Sequence, residues 1–249
     1  MILEKIQEIK SEHPLWGYRR VWAYIRYRHN ITVNKKRIYR VMKERNLLVS
    51  QMRKLKAIRT PQRSKPRAVR PNQFWGIDMT KIMIPSYGWL YLVVVLDWFT
   101  KKIVGYSLRT RSKARDWLDA LNMAVLNQFP QGIRDAQAKP CLISDNGSQP
   151  TSETFMKECS LLGITQIFAS YNNPKGNADT ERVMRTIKED LVWPREWMSC
   201  GEFETALHIW VPNYNTDYPH SSIGYLTPQQ FEAISMNSGA FILNSFASR

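Results

Sequence analysis

Eight consecutive apolar residues, Trp89 through Leu96, stop abruptly at Asp97. A run of that length, dense in β-branched side chains, fits a strand covered on both faces. It falls far short of the roughly 20 residues that a membrane helix needs, so no membrane partner is expected. The flanking segments extend the pattern. Residues 75–84 alternate loosely and end at Pro85, Ser86-Tyr87-Gly88 reads as a turn, and a third strand, 103–109, follows the tight Lys101-Lys102 connection. Three strands, 75–84, 89–100 and 103–109, are expected as an antiparallel meander.

Helical periodicity then alternates with short apolar strands. Residues 112–129 place Trp117, Leu118, Leu121, Val125 and Leu126 on one face and end at Pro130 to Gly132. A short strand at 141–144, a helix at 152–162 closed by Gly163, a strand at 164–169, and helices at 177–192 and 202–214 follow. The order is β-β-β-α-β-α-β-α-α, with no internal repeat.

Charge divides the chain in two. Residues 1–70 hold 20 Lys and Arg against 4 Glu, while residues 71–249 hold 16 Lys and Arg against 17 Asp and Glu. The whole excess of the +15 chain therefore lies at its front, which points to a polyanion such as nucleic acid. Within residues 1–49, three amphipathic helices are expected, the third capped by Asn34. They carry Arg19, Arg20, Lys35, Lys36 and Arg37 outside apolar stripes, as in a small helix-turn-helix-like domain. Residues 50–72 lack periodicity and acidic side chains; with Arg53, Lys54, Lys56 and Arg59 they read as an extended basic linker. Trp16, Trp22 and Tyr24 are expected in the core rather than stacked on bases. Three widely spaced cysteines, Cys141, Cys159 and Cys200, and no apolar leader point to a reducing cytoplasm without disulfides.

Two carboxylates stand at buried strands: Asp78 inside the first, and Asp145 at the end of the 141–144 strand, where Asn146-Gly147 turns the chain at once. Glu181 lies on the helix opened by Asn177, with 35 residues between it and Asp145. Two Asp and one Glu form a hard-oxygen set suited to Mg²⁺ or Mn²⁺, and a pair of such ions serves in-line phosphoryl transfer. Each residue also has a plainer reading. Asp78 could pair with Lys81 or Arg109, Asp145 could cap the Asn146-Gly147 turn, and Glu181 could pair with Arg185 one helical turn on. Asp97 ends a buried strand too, but the residues after it make it a turn holder. His220 reads as structural.

The set Asp78, Asp145 and Glu181, with Lys188 after six intervening residues, resembles the DDE triad of retroviral integrases and insertion-sequence transposases. Asp145-Asn-Gly-Ser-Gln149, Tyr214-Asn215, Pro219-His-Ser-Ser222, Gly224-Tyr-Leu-Thr-Pro228, His13-Pro14 and Gly17-Tyr-Arg-Arg20 extend the likeness to the OrfB-type subunit over residues 13–234. Lys81, Asp179 and Tyr218 depart from the family pattern. The resemblance implies an α/β fold, an RNase H-like mixed five-stranded sheet flanked by helices and preceded by the small helical domain. Residues 73–234 would form the catalytic core and 235–249 a C-terminal tail. It implies Asp78, Asp145 and Glu181 as catalytic residues and ligands of two Mg²⁺ or Mn²⁺ ions, and Lys188 as a DNA contact. It further implies cleavage and joining of DNA at terminal inverted repeats and integration into target DNA. The partners it implies are an OrfA-type helix-turn-helix subunit, separate or fused by frameshifting, and further copies of the chain on DNA, in the bacterial nucleoid. A nuclease on the same fold and an inactive DNA-binding regulator are the alternatives.

Overall fold

The computed structural model describes residues 2–49, 67–169 and 177–237. Five strands form one mixed sheet: β1 (Phe74–Ile84), β2 (Gly88–Asp97), β3 (Ile103–Arg109), β4 (Cys141–Ser144) and β5 (Thr165–Phe168), in the order β3-β2-β1-β4-β5. The meander is antiparallel, whereas β4 runs parallel to β1, and β5 to β4. β2 is the central strand of the meander, and Leu90 and Leu92 through Leu96 are all buried, as the apolar run requires. It ends at Asp97, three residues before the expected Thr100. The Asp97 carboxylate accepts hydrogen bonds from the backbone N–H groups of Asn72, Phe99 and Thr100 and from the Thr100 hydroxyl, which turns the chain there.

Helices cover both faces. On one face α4 (Ala114–Gln128) and α5 (Glu153–Leu161) pack over Trp75, Ile77, Val93, Val95, Val104 and Leu142. Gly105 makes this possible, since a Cβ there would stand 2.2 Å from the Ala120 carbonyl oxygen of α4. On the other face α6 (Ala178–Ile187) and α7 (Cys200–Asp217) cover Ile82, Leu92, Val94 and Leu96. The helix expected to run unbroken to residue 192 changes to a π-helical turn at Lys188–Val192. A last helix, α8 (Pro228–Asn237), was not expected; its Phe231 packs on Phe99 with ring centroids 5.0 Å apart.

The basic N-terminal helices are α1 (Ile2–Glu12), α2 (Tyr18–Tyr27) and α3 (Lys35–Glu44), the last capped by Asn34, whose side chain accepts from the Lys36 N–H at 2.8 Å. They do not stand apart from the sheet. Ile6, Ile9, Trp16, Val21, Ile25, Ile38 and Met42 belong to the same apolar cluster as the α6–α7 face. Polar contacts stitch the seam. The Trp16 indole N–H donates to Asp190 at 3.0 Å in the π turn, the Tyr24 hydroxyl donates to Asp217 at 2.6 Å, and Arg28 pairs with Asp217 at 2.6 Å. Trp16 is 1% exposed, so it serves packing. The three cysteines are free, and no described helix is long and apolar enough to cross a membrane.

Candidate active site

β1 outruns β4. The two strands pair only from Phe74 to Gly76 on β1, so the β1 edge beyond is open just where β4 ends. Asp78 stands at the start of that open edge, and Asp145 follows β4 directly. Strand alternation turns the Asp78 side chain toward the α6 face, the side of Ile82 and Ile84. Asn177, the residue before α6, donates its side-chain amide to the Ile77 carbonyl at 3.1 Å, which ties the start of the helix to the open edge. Gly76 admits this approach: a Cβ there would lie 2.0 Å from Thr180 Oγ1, 2.3 Å from Trp98 Nε1 and 2.8 Å from Asn177 Oδ1. Glu181 follows Thr180 in the first turn of α6, exposed to solvent.

The Asp78 carboxyl is perturbed by its surroundings. Burial raises the Asp78 carboxyl to about 6. The Met79 N–H, donating at 2.8 Å, opposes this; the charges of Asp145 and Glu181 raise it further, and Lys188 lowers it. Two carboxylates and one ammonium, from the end of β4 and from the α6 helix with its π turn, thus act on Asp78. Asp145 is exposed and accepts the Gly147 N–H at 3.0 Å, so it does hold the turn. The other plain pairings are not formed: Arg109 binds Asp119 at 3.0 Å, Lys81 lies over the Tyr91 ring at 5.4 Å, and Arg185 binds Glu189 at 2.6 Å.

Among the described residues, no three His, Cys, Asp or Glu side chains stand close enough together to hold a metal ion. By donor chemistry alone, Asp78, Asp145 and Glu181 are of the type a hard divalent cation takes. The set is all carboxylate oxygen, and two of its three members face solvent.

The proposed DNA contacts fall into three groups. Arg19, Lys36 and Arg37 are exposed on α2 and α3. Arg20 and Lys35 are partly covered: Arg20 lies 4.5 Å over the Tyr218 ring and 5.3 Å over Trp16 in the seam, and Lys35 lies 4.3 Å over Trp22. Arg53, Lys54, Lys56 and Arg59 lie outside the described residues. His220 is buried beside Tyr214 and Tyr218, a structural position. One basic segment escaped sequence reasoning: Arg109, Arg111, Lys113 and Arg115, four cations in seven residues of an otherwise near-neutral half. A local rather than half-chain charge count finds it.

Residues 68–174 and 162–228 match two families described as the integrase core domain, and residues 1–55 match an HTH-like domain. The chain is therefore an integrase-core protein with an HTH-like N-terminal domain. It is 31% identical over 169 residues to the transposase for insertion sequence element IS904 of Lactococcus lactis subsp. lactis, covering 67% of this chain and 63% of that one. The match thus spans under two thirds of the IS904 transposase. Transposase InsD for insertion element IS2 of Escherichia coli is 23% identical over 239 residues, 92% of this chain and 77% of that one. Among solved structures, the HTLV-2 integrase catalytic core domain in complex with magnesium superposes with a TM-score of 0.52 at 20% identity, over 67% of this chain and 99% of that one. A chain of the simian T-cell lymphotropic virus intasome in complex with PP2A regulatory subunit B56 gamma gives 0.53 at 16%, over 92% and 74%. At such identities the likeness is one of fold.

Proposed function

We propose that this chain is a DNA transposase subunit that cleaves and joins DNA at the ends of an insertion sequence, with Asp78, Asp145 and Glu181 as its catalytic carboxylates. The observation that carries the reading is geometric: Asp78 stands at the open edge of β1, Asp145 follows the end of the neighbouring β4, and Asn177 ties the start of α6, which carries Glu181, to that same edge. The insertion-sequence transposases among its relatives support it.

Asp78 and Asp145 would hold two Mg²⁺ or Mn²⁺ ions between them, and Glu181 would complete the coordination of one. Bound ions of this kind stabilise the attacking and leaving oxygens of an in-line phosphoryl transfer. The chain's own contribution is placement. The Met79 N–H fixes the Asp78 carboxylate and the Gly147 N–H fixes that of Asp145, so two ligands are oriented before DNA arrives. Lys188 supplies a positive charge beside them for a phosphate near the scissile bond. The helices of residues 1–49 and the basic segment 50–72 hold DNA through phosphates, with residues 73–234 as the catalytic core. An OrfA-type helix-turn-helix partner and further copies of the chain would complete the assembly on DNA, in the bacterial nucleoid.

A Mg²⁺-dependent assay on element-end duplex tests this. The parent is expected to cut and join, and Asp78→Asn, Asp145→Asn and Glu181→Gln to lose on the order of 100-fold or more each while binding DNA normally. A variant with near-parental cleavage removes its residue from the assignment; cutting without joining makes the protein a nuclease instead.

A further inference from the structure

The N-terminal helices pack on the α6–α7 face of the sheet, and the candidate carboxylates lie at the sheet's open edge. The opposite face carries a second set of cations that this function leaves unused. Beyond the cover of α4, the register aligns Lys81 on β1 with Tyr91 on β2, and Tyr91 with Arg109 on β3, one row across three strands on one face. The chain then leaves β3 through Arg111, Lys113 and Arg115, all exposed or half-exposed. The two nearby carboxylates are engaged: Asp119 binds Arg109 at 3.0 Å, and Asp116 accepts the Lys113 N–H at 2.7 Å. Among the described residues no ion pair reaches Arg111, Lys113, Arg115 or Lys81. This segment also abuts the loop that follows Asp145, since Gln149 donates its side-chain amide to the Ser112 carbonyl at 3.2 Å.

We propose that Lys81, Arg111, Lys113 and Arg115 form a phosphate track for a second duplex, the target DNA, on the sheet face opposite the N-terminal helices. The inference rests on the transposase reading and adds where the second substrate lies. Joining brings two duplexes to one set of carboxylates, and basic surfaces on both faces of the sheet, with the carboxylates at the edge between, give each duplex its own side. Four long, flexible cations that make no ion pair among the described residues match the continuous negative charge of a duplex backbone, which needs no sequence reading.

The test uses the full chain carrying Asp145→Asn, so that no DNA is cut. In the first arm, affinity for a random-sequence duplex is measured against salt. Combining Arg111→Ala, Lys113→Ala and Arg115→Ala is expected to lower the slope of log K against log salt by about 2 to 3, at about 0.9 for each phosphate no longer neutralised. The charge-conserving set Arg111→Lys, Lys113→Arg and Arg115→Lys is expected to keep it. In the second arm, protein preloaded with element-end duplex captures a labelled random duplex, and the alanine set is expected to weaken that capture about tenfold or more, roughly 1.4 kcal/mol. An unchanged slope overturns the track. So does a defect confined to element-end loading, which would assign these cations to the other substrate. Failure of the parent to cut and join would instead strike the transposase reading, because the first arm reads backbone binding without chemistry.

Discussion

Gly76→Ala is the substitution most expected to separate positioning from presence of the carboxylates, because it touches none of them. The added methyl carbon would stand 2.0 Å from Thr180 Oγ1 and 2.3 Å from Trp98 Nε1, against an ordinary contact of about 3.4 Å. Those atoms must retreat by about 1.4 and 1.1 Å. Neither has room, since Thr180 is 0% and Trp98 3% exposed, and the indole N–H donates to the Thr180 hydroxyl at 3.2 Å. Overpacking of this kind costs about 1–3 kcal/mol, and loss of the buried hydrogen bond adds about 1. The easier movement is outward displacement of the first turn of α6, which carries Glu181 next to Thr180. A shift of about 1 Å at a catalytic group lowers the rate on the order of 100-fold. Urea unfolding and Mg²⁺-dependent end cleavage, run on the same protein below its unfolding midpoint, read the two effects separately. Stability within about 0.5 kcal/mol of the parent, together with an unchanged rate, would refute the claim that this glycine sets the distance between α6 and β1.

Lys188→Ala is expected to weaken element-end joining by about 1–2 kcal/mol without altering the metal requirement, with Lys157→Ala as the comparison; equal joining rates in both variants and the parent would make Lys188 plain surface. Burial and the nearby charges of Arg20, Lys101 and Arg182 hold His220 down to about 3, and burial holds His13 down to about 4. Both groups bind a proton more readily when unfolded, so each is expected to remove about 1.4 kcal/mol of stability per pH unit as pH falls below 6.5, the loss ending near the folded values; His220→Gln should flatten urea midpoints between pH 7 and 5. Trp16→Phe removes the donor to Asp190, whose carboxyl burial already raises to about 6. The resulting destabilisation, about 1–3 kcal/mol, is expected to be larger at pH 8, where Asp190 is ionised, than at pH 5, and an effect equal at both pH values would show that only packing was removed.

Periodicity carried the sheet. β3 and β4 fall at the expected residues, bounded by the Lys101-Lys102 connection and the Asn146-Gly147 turn, and the uninterrupted apolar run of β2 marks the strand buried on both faces. Of the candidate carboxylates, Asp78 stands out as a charged residue inside an apolar strand, whereas Asp145 and Glu181 are marked only by the strand end and by the 35-residue interval between them. What the sequence hid was long-range. Trp16 and Asp190 are 174 residues apart, and neither has a local signal that it will meet the other. The switch to π geometry at Lys188 is invisible too, since the apolar stripe of α6 runs on through Leu191. α8 has little amphipathic contrast, and its one clear sign is Pro228 in the first helical position, which in sequence is absorbed into the Gly224 to Pro228 motif.

The seam between the basic helices and the sheet has a thermodynamic consequence. Trp16, Ile25, Met42 and the α6–α7 side chains share one apolar cluster, and Asp190 and Asp217 find donors only across the boundary among the described residues. A core cut free at residue 72 would expose that cluster and leave a raised, partly covered carboxylate without its indole donor. Both parts are therefore expected to unfold in a single cooperative transition, read as coincident urea midpoints by different probes. By linkage, DNA bound to α2 and α3 stabilises the helix that carries Glu181 as well as the helices it touches.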